Sequence, residues 1–235
     1  MNALRAFLAR SPVLARVAPF AVFVLLTLCQ GWFGEAGKYW FYAAKTVVGA
    51  VLVWASWPLV TELRINFSLA AVLVGAAVFG LWIGTESTWT TQSGLWAKLG
   101  LATTLGLAPK VWNPHEYFGQ DSALAWGMVL IRLFGSTVVV PPIEEVFYRS
   151  FLYRYLINPD FTSVPLGRFA LGPFVLTALV FGFAHREWFA GILCAAAYQG
   201  LVIWKNRLGD AIAAHAVTNL LLGIWVVMRG QWQFW

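Results

Sequence analysis

The sequence predicts an all-α membrane protein, a polytopic transmembrane helix bundle of about seven to eight membrane-embedded helices. Three observations predict it. Of the 235 residues, 60% are hydrophobic and only 11% are charged, and the mean hydropathy is +0.71; a soluble domain of this length could not hide that much apolar surface. The apolar residues gather into runs near the ~20-residue length that a bilayer crossing requires. There are 14 Trp, a residue that collects at membrane–water boundaries.

The runs fall at 13–33, 40–60, 66–84, 123–157, 168–186, 188–204 and 210–228. The fourth is too long for a single crossing. Pro141-Pro142 is the expected break, since proline removes a helix hydrogen bond and clashes with the preceding turn; two helices there would give the higher count. Arg5, Arg10 and Arg16 precede the first run. No clear small-residue cleavage site follows, so the run reads as a span and not as a removable signal. Residues 85–122 form the long polar stretch, within which 93–107 is expected as an interfacial helix. The chain then divides into N-terminal spans with this extramembrane or interfacial segment (1–122) and a C-terminal helical core (123–235), together one integral membrane domain. The closing Trp232-Gln233-Phe234-Trp235 has the character of an interfacial anchor.

The net charge of +6 does not indicate nucleic acid, because the basic residues are scattered between apolar runs. With seven spans and the N-terminus inside, nine basic residues (Arg5, Arg10, Arg16, Arg64, Arg149, Arg154, Arg168, Lys205, Arg207) fall on the inner side. Five (Lys38, Lys98, Lys110, Arg186, Arg229) fall outside. That bias predicts a multi-pass protein, in a bacterial inner membrane if the resemblance below sets the source, with a cytoplasmic N-terminus. Cys29 and Cys194 lie inside apolar runs and read as inert buried thiols.

Ionisable residues inside spans cost at least ~2.5 kcal/mol each on insertion scales, which makes them candidates for function. They concentrate at three places in the C-terminal half. In Pro142-Ile143-Glu144-Glu145-Val146-Phe147-Tyr148-Arg149, Glu145 and Arg149 share a helix face and can pair. Glu144 points about 100° away and lacks that partner. Repulsion between adjacent carboxylates and desolvation both favour proton uptake, which suits a general base near neutrality. In Phe181-Gly182-Phe183-Ala184-His185, Phe181 and His185 share a face. In His215-Ala216-Val217-Thr218-Asn219, His215 and Asn219 project together and can donate to one oxyanion. Each motif also has a plainer reading: an Arg–Glu staple, a structural histidine, and interhelical hydrogen bonding. Measured from the 158–167 loop, helical rise puts Glu144 at ~20 Å, His185 at ~26 Å, His215 at ~9 Å and Asn219 at ~15 Å. Convergence is within reach of tilt and side-chain length, but the arithmetic does not close by itself.

Glu-Glu-x-x-x-Arg, Phe-x-x-x-His and His-x-x-x-Asn, in this order on successive apolar helices, resemble the CAAX prenyl protease and bacteriocin-processing family. This is a family of glutamate-dependent intramembrane endopeptidases that includes the Ras-converting enzyme. The likeness covers roughly 123–219. More narrowly, the 140–152 segment, the His215–Asn219 segment and the terminal Trp232-Gln233-Phe234-Trp235 are similar to a bacterial CAAX protease-related branch associated with exosortase sorting systems. Ser150 follows the motif arginine where many members have Gly, so helix packing there is expected to differ. The resemblance implies Glu144 as general base on a water, helped by His185, with His215 and Asn219 stabilising the oxyanion. It implies Glu145 and Arg149 as a pair that shapes the site, and Phe181 and Phe147 as substrate contacts. The implied partners are the lipid bilayer and a membrane-embedded or lipidated substrate, with an exosortase-type sorting system for the narrower branch.

Glu144, His185 and His215 are ligand types that zinc accepts. However, the helical His-Glu-x-x-His pattern is absent, and the resemblance favours a metal-free mechanism, so no cofactor is expected. Two other classes compete. A scaffold, immunity or sorting factor that kept the fold would tolerate loss of Glu144. A transporter would carry charges along several spans, whereas Lys45 is the exception in the first three.

Overall fold

The computed structural model describes residues 2–87, 90–99, 111–120 and 122–235, and every described element is helical. The elements are α1 (Asn2–Leu8), α2 (Pro12–Cys29), α3 (Gly34–Ser56), α4 (Leu69–Gly84), α5 (Gln92–Lys98), α6 (Pro114–Phe118), α7 (Ala123–Ile157), α8 (Leu171–Phe183), α9 (Trp188–Lys205) and α10 (Gly209–Arg229). Among the described residues, four helices (α2, α7, α9 and α10) are long and apolar enough to cross a membrane. α4 and α8 are apolar but shorter, and α3 has 23 residues but carries Glu35, Lys38 and Lys45. The helical membrane bundle expected from composition is the fold found. Only the start of the interfacial helix expected at 93–107 can be placed, as α5; residues 100–110 lie outside the described residues.

Local chemistry sets the helix ends. Ser11, Ser68 and Ser122 accept from the backbone N–H groups of Val13, Ala71 and Ala125, capping α2, α4 and α7 and satisfying donors that the first turn leaves free. Pro12 occupies the first turn of α2, where its missing N–H costs nothing. α10 stops at Gly230, whose φ of +64° is left-handed backbone that a glycine adopts without strain.

The expected break at Pro141-Pro142 does not occur. α7 runs unbroken for 35 residues because two π-helical stretches, Gly135–Val139 and Val146–Leu152, are built into it. The Val140 N–H bonds back five residues to Gly135 O, and the prolines follow as the start of the α-helical segment Val140–Glu145. The widened turn takes the place of the one proline would have disrupted, so the helix continues.

Small residues bring the helices together. A Cβ on Gly75 of α4 would strike Ala214 O and Val217 of α10, and one on Gly182 of α8 would strike Trp188 O and Ile192 of α9. Such close approach is how helices associate where lipid removes the hydrophobic incentive. Across the α4–α10 contact the Thr218 hydroxyl lies 2.8 Å from Gly75 O and 3.1 Å from Ala214 O, and accepts from the Tyr198 hydroxyl at 2.7 Å.

At the end of the bundle that holds the N-terminus of α2, Glu62 clamps two helices. It takes Arg16 of α2 at 2.6 Å and Arg154 of α7 on its other oxygen. Burial pushes the Glu62 carboxyl up, but the Arg16 charge and the Arg154 hydrogen bond outweigh it and hold the group below its ordinary value. Ser150, fully buried, accepts from Arg16 Nε at 2.9 Å. The hydroxyl that departs from the commoner glycine is therefore part of the α2–α7 contact.

Candidate active site

Adjacent residues on a helix diverge by about 100°, and Glu144 and Glu145 do so to different ends. Glu145 turns into the protein and is wholly buried with Arg149. Its Oε2 lies 3.1 Å from Arg149 Nε, and its Oε1 lies 2.9 Å from His215 Nδ1 on α10. The Arg149 guanidinium is further held by the Phe181 ring, 4.6 Å away. Each Glu145 oxygen thus has a partner, Oε1 through a hydrogen bond and Oε2 through an ion pair without hydrogen-bond geometry.

Glu144 faces a cavity of about 180 Å³. His185, His215, Asn219 and Phe181 line the same cavity, so five of the eight residues singled out in the sequence converge there. Glu145 and Arg149 stand immediately behind it. Phe147 does not join them: its ring stacks on Phe20 of α2 at 3.9 Å, and it is not among the residues lining the cavity.

His185 lies just beyond the last turn of α8 and folds back onto it. Its Nδ1 is 2.7 Å from Phe181 O. A carbonyl oxygen only accepts, so Nδ1 carries the hydrogen, and the neutral ring presents the Nε2 lone pair. That nitrogen stands 4.0 Å from Glu144 Oε2, an oxygen that makes no hydrogen bond among the described residues. Phe181 stacks on the imidazole at 4.4 Å and Trp82 meets it edge-on at 5.6 Å.

His215 is oriented from behind in the same way. An ionised Glu145 only accepts, so His215 Nδ1 donates to it and Nε2 is left for the cavity. Tyr198 stacks on the ring at 5.3 Å. Asn219 donates through Nδ2 to Ser136 O at 2.8 Å, which leaves its second amide hydrogen uncommitted by that bond.

Sequence reasoning missed Glu187, in the short α8–α9 connection. It is buried, lines the cavity and sits 3.7 Å from Arg186 Nε. Burial pushes its carboxyl above the ordinary value, with the Arg186 charge offsetting part of that. The signal was available: a carboxylate between two apolar helices, two residues after the motif histidine. Among the described residues, no three His, Cys, Asp or Glu side chains converge closely enough to hold a metal ion.

Residues 126–221 match the family model of the Rce1-like type II CAAX prenyl endopeptidases. The resemblance to the CAAX protease family is thereby shown. The match falls on α7 to α10, the helices that carry the cavity, and covers under half of the chain. This likeness is to a family of proteases of membrane-associated substrates. No curated protein and no solved structure matches the chain.

Proposed function

We propose that the protein is an intramembrane endopeptidase that hydrolyses a peptide bond of a membrane-associated or lipid-modified substrate with a glutamate-activated water. One observation carries this reading. Of two adjacent carboxylates, Glu145 is consumed by Arg149 and His215, while Glu144 is left facing His185 across the cavity. A structural staple needs only the first; a base needs the second.

In the proposed reaction, Glu144 takes a proton from water as its oxygen attacks the substrate carbonyl. His185 Nε2, fixed by the Phe181 carbonyl behind it, helps hold that water. The carbonyl electrons move to oxygen, where the free Asn219 amide hydrogen and His215 Nε2, in its protonated state, donate to the oxyanion. Collapse of the tetrahedral intermediate breaks the C–N bond, and Glu144 returns its proton to the leaving amine. Phe181 supplies an apolar wall for the substrate.

Trp82, Glu187 and Trp235 line the cavity at the end where α4, α8 and α10 finish. The basic bias of the opposite end supports a cytoplasmic N-terminus, so the site opens toward the other face of the membrane. A place beside an exosortase-type sorting system rests on the narrower sequence resemblance.

The test is cleavage of a library of hydrophobic and lipidated peptides by purified protein in bilayers, read by mass spectrometry, with Glu144→Gln, His185→Ala and chelator arms. Cleavage lost in both variants and kept with chelator supports the mechanism. Equal cleavage by wild type and Glu144→Gln would sink it, and loss to chelator would move the reading to a metalloprotease.

A further inference from the structure

A second cavity, of about 310 Å³, lies between α2, α3, α7 and the C-terminal tail. Lys45 and Arg132 line it, and both sit well inside helices of the bundle. Among the described residues neither forms an ion pair. Lys45, buried, donates to Thr27 Oγ1 at 3.0 Å and lies 4.8 Å from the Phe23 and Tyr42 rings. Arg132 lies over Trp112 at 4.5 Å, Tyr42 at 4.7 Å and Trp235 at 5.4 Å, and its guanidinium makes no hydrogen bond to any described residue. The two cations share the Tyr42 ring.

Aromatic faces attract a cation but accept no conventional hydrogen bond from it. Three ammonium hydrogens and five guanidinium N–H groups meet one hydroxyl acceptor here. Glu35, the carboxylate that also lines the cavity, is paired with Lys38 at 3.0 Å, so two neighbouring intramembrane cations without an ion-pair partner leave a place for an anion between them. Arginine's planar fork matches phosphate oxygens. The cavity's mouth carries Gln30, Gly34, Glu35 and Lys38 at the α2–α3 turn, and exposed Trp32, Phe33 and Trp40 ring that turn. Such aromatics mark headgroup depth, where basic pockets between spans take lipid phosphates.

We propose that the Lys45–Arg132 cavity binds a phosphate group, supplied by the headgroup of an anionic phospholipid. Arg132 and Trp235 also line the catalytic cavity, so a bound headgroup would touch side chains that form a wall of the chamber holding Glu144. The proposal does not depend on the peptidase reading.

The test is thermal unfolding of the full chain in an uncharged detergent with added phosphatidylglycerol, phosphatidylcholine or inorganic phosphate. Phosphatidylglycerol should raise the midpoint by a few degrees where phosphatidylcholine does not. A Lys45→Met/Arg132→Gln double variant should lose that difference, and Arg229→Gln, on an exposed arginine at the same end, should keep it. An equal rise with inorganic phosphate upholds the phosphate chemistry and assigns the source to free anion; a rise with the lipid alone assigns it to the headgroup. Wild-type protein that responds to neither phosphate source overturns the proposal even if the double variant fails to fold, as does a response that survives in a folded double variant.

Discussion

The side-chain amide of Asn219 donates to the backbone carbonyl of Ser136 across 2.8 Å, and the π-helical stretch of α7 explains why that carbonyl is free. In an α-helix Ser136 O would accept from Val140 N–H. That N–H goes to Gly135 O instead, and the next residue along, Pro141, has no N–H to offer. Asn219 thus fills a vacancy made by the π turn, and the same bond aims its amide at the cavity.

Asn219→Ala should therefore cost both stability and activity. The stranded carbonyl is worth about 1–3 kcal/mol, readable as a lowered unfolding midpoint. Asn219→Asp keeps the shape but presents an acceptor to an acceptor, so it should be no better than alanine; a midpoint equal to wild type would contradict the assignment.

Glu144 and Glu145 should separate cleanly. Glu144→Gln removes an unbonded carboxylate oxygen and should lower cleavage by about 10²–10⁴-fold with little change in unfolding. Glu145→Ala leaves Arg149 buried without its counter-charge, a loss of about 3–5 kcal/mol. Comparing unfolding midpoints with residual cleavage in the two variants checks the split.

The Glu62 clamp sets an acid limit. Its folded-state carboxyl is held below the ordinary value, so its contribution is present above the unfolded value of about 4.5 and is lost as pH falls through the folded one. Glu62→Gln should lower stability at neutral pH and flatten the acid side of the stability profile, measured by unfolding between pH 3 and 7. Ser150→Ala, which removes a neutral acceptor of Arg16 and a longer one of Arg154 but no charge, should show a smaller loss without the change in profile.

Glu187 should behave oppositely. Its folded carboxyl is raised by burial, so the unfolded chain ionises first. Stability contributed by this group falls as pH rises from the ordinary value of 4.5 through the folded one. Glu187→Gln should remove that decline, and a profile unchanged by the substitution would show that the carboxyl is not buried as described.

The sequence made the bundle legible because the bilayer sets a minimum length for an apolar run, and composition alone betrays it. The motif residues were legible for the same reason: charge inside such a run is conspicuous. Depth was not. Rise measured from the 158–167 loop separated Glu144 from His215 by roughly 11 Å, yet His215 bonds the neighbouring Glu145. The 158–167 loop is not a level baseline. Tyr153 of α7 already bonds Arg168 and Ala170 at the start of α8, and Asn206 bonds Gly167, so α7 overshoots. Counted from Tyr153, Glu144 rises ~13 Å, as does His215 counted from Asn206. His185 closes its own gap by folding back one turn. Phe147 was misplaced because helical spacing fixes a face without saying which neighbour that face meets. The prolines misled because no local signal announced the π turn that accommodates them.

That π turn is also a matter of phase. Within a helix each residue advances the direction of projection by about 100°. Arg132, before the widened stretch, and Glu144, after it, line one chamber only because the extra residue between them resets the rotation. Winding the same residues as a regular α-helix would leave both side chains present but turn one of them away by a little more than a quarter of a circle, so the two cavities of this protein are kept in register by one residue's worth of winding.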